Sequence, residues 1–311
     1  MTVVWEAWAR QRRRFVLAVP VFLVLGLGLT RPVSGQVADS GVKCNGTADD
    51  TTAISRANAV AGARTIYLPS GFCRITANIK LATTLHFDSG AQFTIDRGVT
   101  VTIQGDFVAP LRRIFSGAGS VVFDNSRVVP VLHPEWWGAV HDGTTDDSAA
   151  IQAAVNSVSA GQVIELQTGV YAIGTALSID RSLTLRGRNR LSSELRWTGA
   201  GGTLLTITAT TNNVHLEEFQ FDNTGNGAVG IEILGAHVLV QGVRTNPTVK
   251  WSTAAIRTNT ASAIFDVTPA EIGWLVLDRR QEKSTLSIHA SRKHLRFFGF
   301  SVSPNSLANL A

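Results

Sequence analysis

Glu217, Asp222 and Arg244 are the residues of this chain whose types and spacing best suit acid–base chemistry. Cleaving a glycosidic bond takes two carboxyl groups about 5–10 Å apart, one to give a proton and one to activate water or attack. Glu232 is an alternative partner for Glu217. Elimination beside a sugar carboxylate needs a base instead, with Arg244 or Arg186 as candidates, and neutralisation of the uronate charge. Arg186, His215 and Gln241 extend the set into a polar strip able to hold a substrate. For each residue taken singly, the competing reading is a solvated polar face.

A repeat has to bring these residues together. Val214-x-Leu216-x-x-Phe219-x-Phe221 matches Val238-x-Val240-x-x-Val243-x-Thr245 at a spacing of 24 residues. That is one turn of a solenoid. If Val214, Leu216, Phe219 and Phe221 point inward, His215, Glu217 and Gln220 point outward, and Leu239, Gln241 and Arg244 follow on the next coil. Short alternating strands are expected at Thr84–Phe87, Gln92–Ile95, Val99–Ile103, Ser182–Leu185, Leu204–Ile207, Val214–Leu216, Gly230–Ile233 and Val238–Val240.

A longer repeat frames the strands. CNGTADDTTAISRA at 44–57 and HDGTTDDSAAIQAA at 141–154 share seven identical positions. Each is followed by a strand, a glycine and another strand, at 65–75 and 163–173. Asp50 and Asp147 are placed as helix N-caps. Ile151, Ala154, Val155 and Val158 then form one apolar helix face, and Ile54, Ala57 and Ala61 form a weaker one. A short helix with one apolar face, set before a run of strands, suits the open end of a strand stack. A β-sandwich would explain the strands but neither the helices nor the 24-residue match.

Trp136-Trp137-Gly138-Ala139, Asp142-Gly143-x-x-Asp146-Asp147-x-x-Ala150-Ile151-Gln152-Ala153-Ala154 and Gly169-x-Tyr171 resemble the N-terminal region of the pectate-lyase-like β-helix superfamily, in particular its rhamnogalacturonase/epimerase-type branch. The first copy is similar, with Asn45 at the position of Asp142 and Cys73 at that of Tyr171. The resemblance covers roughly 38–107 and 133–246. It implies an all-β fold, a right-handed parallel β-helix with short capping helices, and an acidic polysaccharide as partner. The superfamily includes lyases, hydrolases, epimerases, tail spikes and non-catalytic members. The catalytic strings of its polygalacturonase-like members do not carry over: Gly-His-Gly and Arg-Ile-Lys are missing, and both Asp-Asp pairs belong to the helix starts. The Asp-Pro-His-Glu of alginate-epimerase-like members is missing too.

Other motifs have simpler readings. Asp49/Asp50 and Asp146/Asp147 offer oxygens to calcium, but helix capping accounts for them with fewer assumptions, so no metal or other cofactor is expected. Trp136 and Trp137 can stack on sugar rings, or pack the join between the copies. Gly225-x-Gly227-x-x-Gly230 spells a dinucleotide fingerprint, but a strand follows it where a helix is required, so a coil-to-coil loop is expected. Asn45-Gly46-Thr47 is a glycosylation sequon where the host glycosylates proteins. Cys44 and Cys73 are the only cysteines, an even pair that reads as a disulfide in an oxidising compartment, with two separate buried thiols as the alternative.

Composition fixes the setting. Apolar residues make up 44% and charged residues 16% of 311, enough for a large core. Of the net charge of +5, residues 1–35 carry +4 and residues 278–311 another +4, which leaves −3 for 36–277. That acidic body excludes a nucleic-acid footprint. Arg10 to Arg14, the apolar run Phe15–Thr30 and Val33-Ser34-Gly35 read as a cleavable export signal over 1–35. At 16 residues and broken by Pro20, the run is short for a membrane span, so no stable membrane insertion is expected. The expected organisation is a signal at 1–35, a first cap and coils at 36–132, a second cap and coils at 133–277, and a divergent basic tail at 278–311 that reads as truncated. The expected product is a secreted or cell-surface protein that acts on acidic polysaccharide as lyase or hydrolase. The alternatives are a non-catalytic adhesive β-helix and an inactive fragment.

Overall fold

Alternation of apolar and polar residues over stretches of three to six residues dictates strands that bury one side only. The computed structural model shows where that side goes. It describes residues 41–60, 65–159, 161–208, 210–245 and 251–258, and the backbone of three further strands, Ala263–Asp266, Leu275–Leu277 and Ser287–Ile288. The export signal expected at 1–35 and Ala61 of the first apolar helix face lie outside the described residues, as does most of the basic tail.

Every strand pairing among the described residues is parallel. The chain is a parallel β-helix in two stacks of three faces each. In the first stack, the first face holds Thr65–Leu68, Thr84–Phe87 and Phe107–Val108. The second holds Asn45–Asp49, Gly71–Ile75, Ala91–Ile95 and Phe115–Gly117, and the third holds Ile79–Leu81, Thr100–Ile103 and Ser120–Phe123.

The second stack repeats the plan. Its first face runs Val131–Leu132, Gln162–Leu166, Leu183–Gly187, Asn212–Glu217, Ala236–Gln241, Ala263–Asp266 and Ser287–Ile288. The second face runs Asp142–Asp146, Gly169–Ile173, Ser193–Trp197, Gln220–Asn223 and Arg244–Thr245. The third runs Leu177–Ile179, Thr203–Ile207, Val229–Ile233, Ala254–Thr258 and Leu275–Leu277.

The expected 24-residue register is present: Val214 faces Val238, Leu216 faces Val240 and Phe221 faces Thr245. Inward residues stack coil upon coil, as in Leu185–Leu216–Val240 and Leu205–Ile231–Ile256, and all of these are buried. Burying one such side chain contributes about 1.5–3 kcal/mol. One core runs through both stacks.

Among the described residues, two α-helices break the strand pattern, α1 at Thr51–Ala59 and α2 at Ser148–Ser157. α1 packs on Ile79–Leu81 of the third face. α2 does more than cap an end. It lies against Ser120–Phe123 of the first stack and Leu177–Ile179 of the second, and so fills one layer of the third face between them. This is why it buries Ser148, Ala150 and Ser157 as well as Ile151, Ala154 and Val155. The turn Pro134–Trp137 fills the same joint, where Trp136 packs on Phe107 and Phe123, and Trp137 on Phe115. These tryptophans are therefore packing residues.

The Asp pairs divide their labour differently from the N-cap expectation. Asp50 and Asp147 do precede the helices, and their carbonyls accept the first helical N–H, from Ile54 and Ile151. Neither carboxylate bonds its own helix, however. Asp50 reaches back to the N–H groups of Lys43 and Cys44, and Asp147 to those of Val140 and His141. The preceding residues do the capping: Asp49 accepts from Thr51 N–H at 2.9 Å and Asp146 from Ser148 N–H at 3.0 Å. A cap one residue further upstream is invisible to a composition rule, because either Asp of the pair satisfies it.

The loop with the dinucleotide-like glycines joins strand Gln220–Asn223 to Val229–Ile233. Asn223 clamps it through both Gly227 N–H and Gly227 carbonyl. A Cβ on Gly227 would lie 2.6 Å from Trp251 and 2.8 Å from Trp197, so close packing of coils demands the glycine. Cys44 and Cys73 form a disulfide across a separation of 29 residues.

Two outcomes follow for stability. Leu216→Ala is expected to cost about 2–5 kcal/mol because it opens a cavity in the stacked core, and Leu239→Ala, one residue out of phase and facing outward, about 0.5 kcal/mol. Equal costs in urea melts would break the assigned register. Replacing both cysteines by serine is expected to lower stability by about 3–4 kcal/mol by the loop-closure argument, read from the same melts under oxidising conditions.

Candidate functional site

Outward residues on neighbouring coils form lateral rows, because parallel strands in register lie about 4.8 Å apart. On the first face of the second stack, Glu165, Arg186, Glu217 and Gln241 make one row, and Thr184, His215 and Leu239 the next. Four of the expected site residues, Arg186, His215, Glu217 and Gln241, thus share this face. Arg186 is already engaged, at 2.9 Å from Glu165, which Arg188 also approaches at 3.4 Å. Burial works to raise the Glu165 carboxyl, but Arg186, His133 and Arg188 hold it below its ordinary value. His215 Nδ1 lies 3.5 Å from Glu217 Oε1.

Asp222 and Arg244 lie elsewhere, on the second face, where Arg244 is in register with Gln220. Glu217 ends its strand on the far side of the corner made by Glu218 and Phe219. Glu232 sits on the third face, ion-paired with Arg257 at 2.5 Å. The three carboxylates considered from sequence therefore occupy three different faces. Period-two alternation separates inside from outside and carries no information on which face of a coil a strand joins. Glu217 therefore shares its face with neither Asp222 nor Glu232, and the polar strip expected to join Arg186, His215, Glu217 and Gln241 to Arg244 is divided between two faces.

The second face supplies a different partner for Asp222. Strand Ser193–Trp197 places Glu194 beside Gln220 and Arg196 beside Asp222. Strand spacing and rise put the Glu194 and Asp222 backbones about 8 Å apart. Glu194 Oε1 meets Arg196 at 2.7 Å, and Oε2 accepts from Gln220 Nε2 at 3.1 Å. The Glu194 side chain is 13% exposed and Asp222 is 7% exposed. Burial raises the Glu194 carboxyl above its ordinary value against the pull of Arg196, and the charge of Asp222 adds to the rise. Arg244 brings a guanidinium whose Nε is buried without a hydrogen-bond partner.

Sequence reading passed over Glu194 and Arg196. The signal was there: Ser193-Glu194-Leu195-Arg196-Trp197 alternates, and Leu195 and Trp197 are both buried. Its two charges in five residues mask it as a loop.

The second face can hold one carboxyl prone to carry a proton, one buried carboxylate beside it, and two arginines. The Asp pairs offer a cation less. Asp146 receives N–H groups from Ser148 and Gly174, and Asp147 those of Val140 and His141. Cys44, Asp50 and Cys73 cluster closely, but the sulfurs bond each other and Asp50 takes backbone N–H groups. Among the described residues, no helix is long and apolar enough to cross a membrane. No family model, curated protein or solved structure matches the chain.

The raised Glu194 carboxyl has a defined pH signature. A group raised on folding stabilises fully below its unfolded value, and that contribution is lost as pH rises through its folded value. Between about pH 4 and 7 the native protein is expected to lose stability relative to Glu194→Gln. Urea melts of both proteins across that window read the difference, and parallel curves would contradict the assignment.

Proposed function

We propose that the chain is an exported β-helix protein of the pectate-lyase-like type that hydrolyses acidic polysaccharide on the second face of its second stack. One observation carries this reading: Glu194, with a raised carboxyl, and Asp222, nearly buried, stand on adjoining strands about 8 Å apart. Glu194 is the general acid and Asp222 the group that activates water, a division set by their different surroundings. Arg244 faces the carboxylate of a uronate unit. The disulfide supports an oxidising, extracytoplasmic setting.

A second reading is favoured by one detail. Both Glu194 oxygens are engaged, by Arg196 and Gln220, which suits a rigid binding surface without turnover. In that reading the protein is an adhesive, carbohydrate-binding β-helix.

Purified protein on polygalacturonate, alginate and rhamnogalacturonan separates the two. Hydrolysis is expected to release reducing ends without the ultraviolet absorbance of an unsaturated uronate. Glu194→Gln and Asp222→Asn are each expected to slow it by roughly a hundredfold or more. New ultraviolet absorbance would make the protein a lyase and remove Glu194 as acid. Binding without turnover would establish the adhesive reading.

A further inference from the structure

The two copies share a local geometry more detailed than their shared letters. Cys44 and His141 stand at the same position, and both adopt positive φ, 43° and 48°. Each lies over a glycine that leaves no room for a Cβ: one on Gly71 would sit 2.2 Å from the Cys44 carbonyl oxygen, and one on Gly169 would sit 2.5 Å from His141 Nδ1. The carbonyl of each accepts the next N–H after that glycine, from Phe72 at 2.8 Å and Val170 at 3.0 Å. Each is also held through its own N–H, by Asp50 or by Asp147. The residue two places after the glycine is Cys73 in one copy and Tyr171 in the other.

What closes the contact differs. Cys44 and Cys73 are bonded. His141 and Tyr171 instead pack ring to ring, with centroids 5.3 Å apart. Tyr171, fully buried, donates its hydroxyl proton to Glu135 Oε1 at 2.5 Å and accepts from Gln167 N–H at 2.7 Å. Glu135 comes from the turn at the joint between the stacks, and its Oε1 lies 3.9 Å from His141 Nε2. Its other oxygen is buried without a hydrogen-bond partner, so Tyr171 is the chief hydrogen-bonding anchor of a buried carboxyl group.

We propose that these are one latch built in two chemistries, so that a dithiol reductant releases the start of the first stack and leaves the joint between the stacks closed. In the first copy the dithiol passes two electrons and two protons to the Cys44–Cys73 bond. Two thiols form, and the dithiol becomes its own disulfide. Cys44 is 4% exposed and Cys73 is fully buried, so the exchange proceeds when the first coil frays. The strand Asn45–Asp49 and α1 are what the bond holds down. In the second copy nothing is reducible, and α2 is held between two strand stacks.

Hydrogen exchange of the full chain, read by mass spectrometry with and without dithiothreitol, tests the latch. After complete reduction, verified by thiol alkylation, residues 41–60 and 71–75 are expected to exchange about tenfold faster or more, with 138–157 and 169–173 unchanged. Verified reduction with no change at 41–60, or an equal change in both copies, overturns the proposal. Tyr171→Phe keeps the ring and removes the hydroxyl. It is expected to speed exchange over 138–147 about tenfold and to leave 41–60 alone; unchanged exchange over 138–147 shows that Tyr171 is no latch. The graft H141C/Y171C, combined with E135Q so that no carboxylate is stranded, is expected to form a second disulfide and make the joint sensitive to the reductant. Free thiols at both positions in a graft of native circular dichroism show that the two sites are not equivalent. If the graft fails to fold, the first two measurements decide the matter alone.

Discussion

Everything in this molecule depends on inward side chains stacking in register from coil to coil. A parallel ladder satisfies backbone hydrogen bonds only along its length, and the dry interior is filled only when Leu185, Leu216 and Val240, or Leu205, Ile231 and Ile256, sit over one another. A slip of one residue would send His215 and Glu217 inward and Val214 and Leu216 out. The position of every outward side chain is therefore a by-product of core packing. A polar row appears wherever the core demands an apolar one beneath it.

The core is continuous, but its construction is not uniform. α2 and the turn Pro134–Trp137 take the place of strands for one layer, and the ladder is interrupted there. Aromatic volume carries the interior across the gap, with Phe107, Phe115 and Phe123 meeting Trp136 and Trp137. A helix cannot extend a sheet's ladder, so packing and isolated hydrogen bonds, such as those of Gln152 with the Ser178 backbone, hold this layer. The buried Glu135–Tyr171 bond lies in this layer, where a specific polar contact can set the angle at which one stack meets the next.

On the surface, ion pairs run along rows, as in Glu165 with Arg186 and Glu232 with Arg257, or along one strand, as in Glu194 with Arg196. Pairs at a protein surface contribute little to stability, about 0–1 kcal/mol each. Glu194 differs because burial, joined by the charge of Asp222, outweighs the pull of Arg196, so its proton is held more firmly than that of an ordinary glutamate, whereas the arginines around Glu165 win there. That contrast makes the second face the chemically distinctive one.

Much of the fold was legible in the residue order. The 24-residue match predicted the pairing of Val214 with Val238, and the seven shared positions predicted both helices, because local periodicity and turn chemistry are properties of short segments. The disulfide followed from a count of two cysteines. Inward and outward faces also follow from sequence, since period two is a backbone property. Which of three faces a strand joins is decided by the length and bend of the turns between strands, and these leave no periodic trace. Glu217, Asp222 and Glu232 therefore fall on three faces, and the carboxyl group that shares the face of Asp222 on the neighbouring strand is Glu194. The equivalence of His141 and Tyr171 with Cys44 and Cys73 was equally hidden. Only the folded chain brings residues 29 or 30 apart into contact, and unlike side chains can fill the same contact by different chemistry.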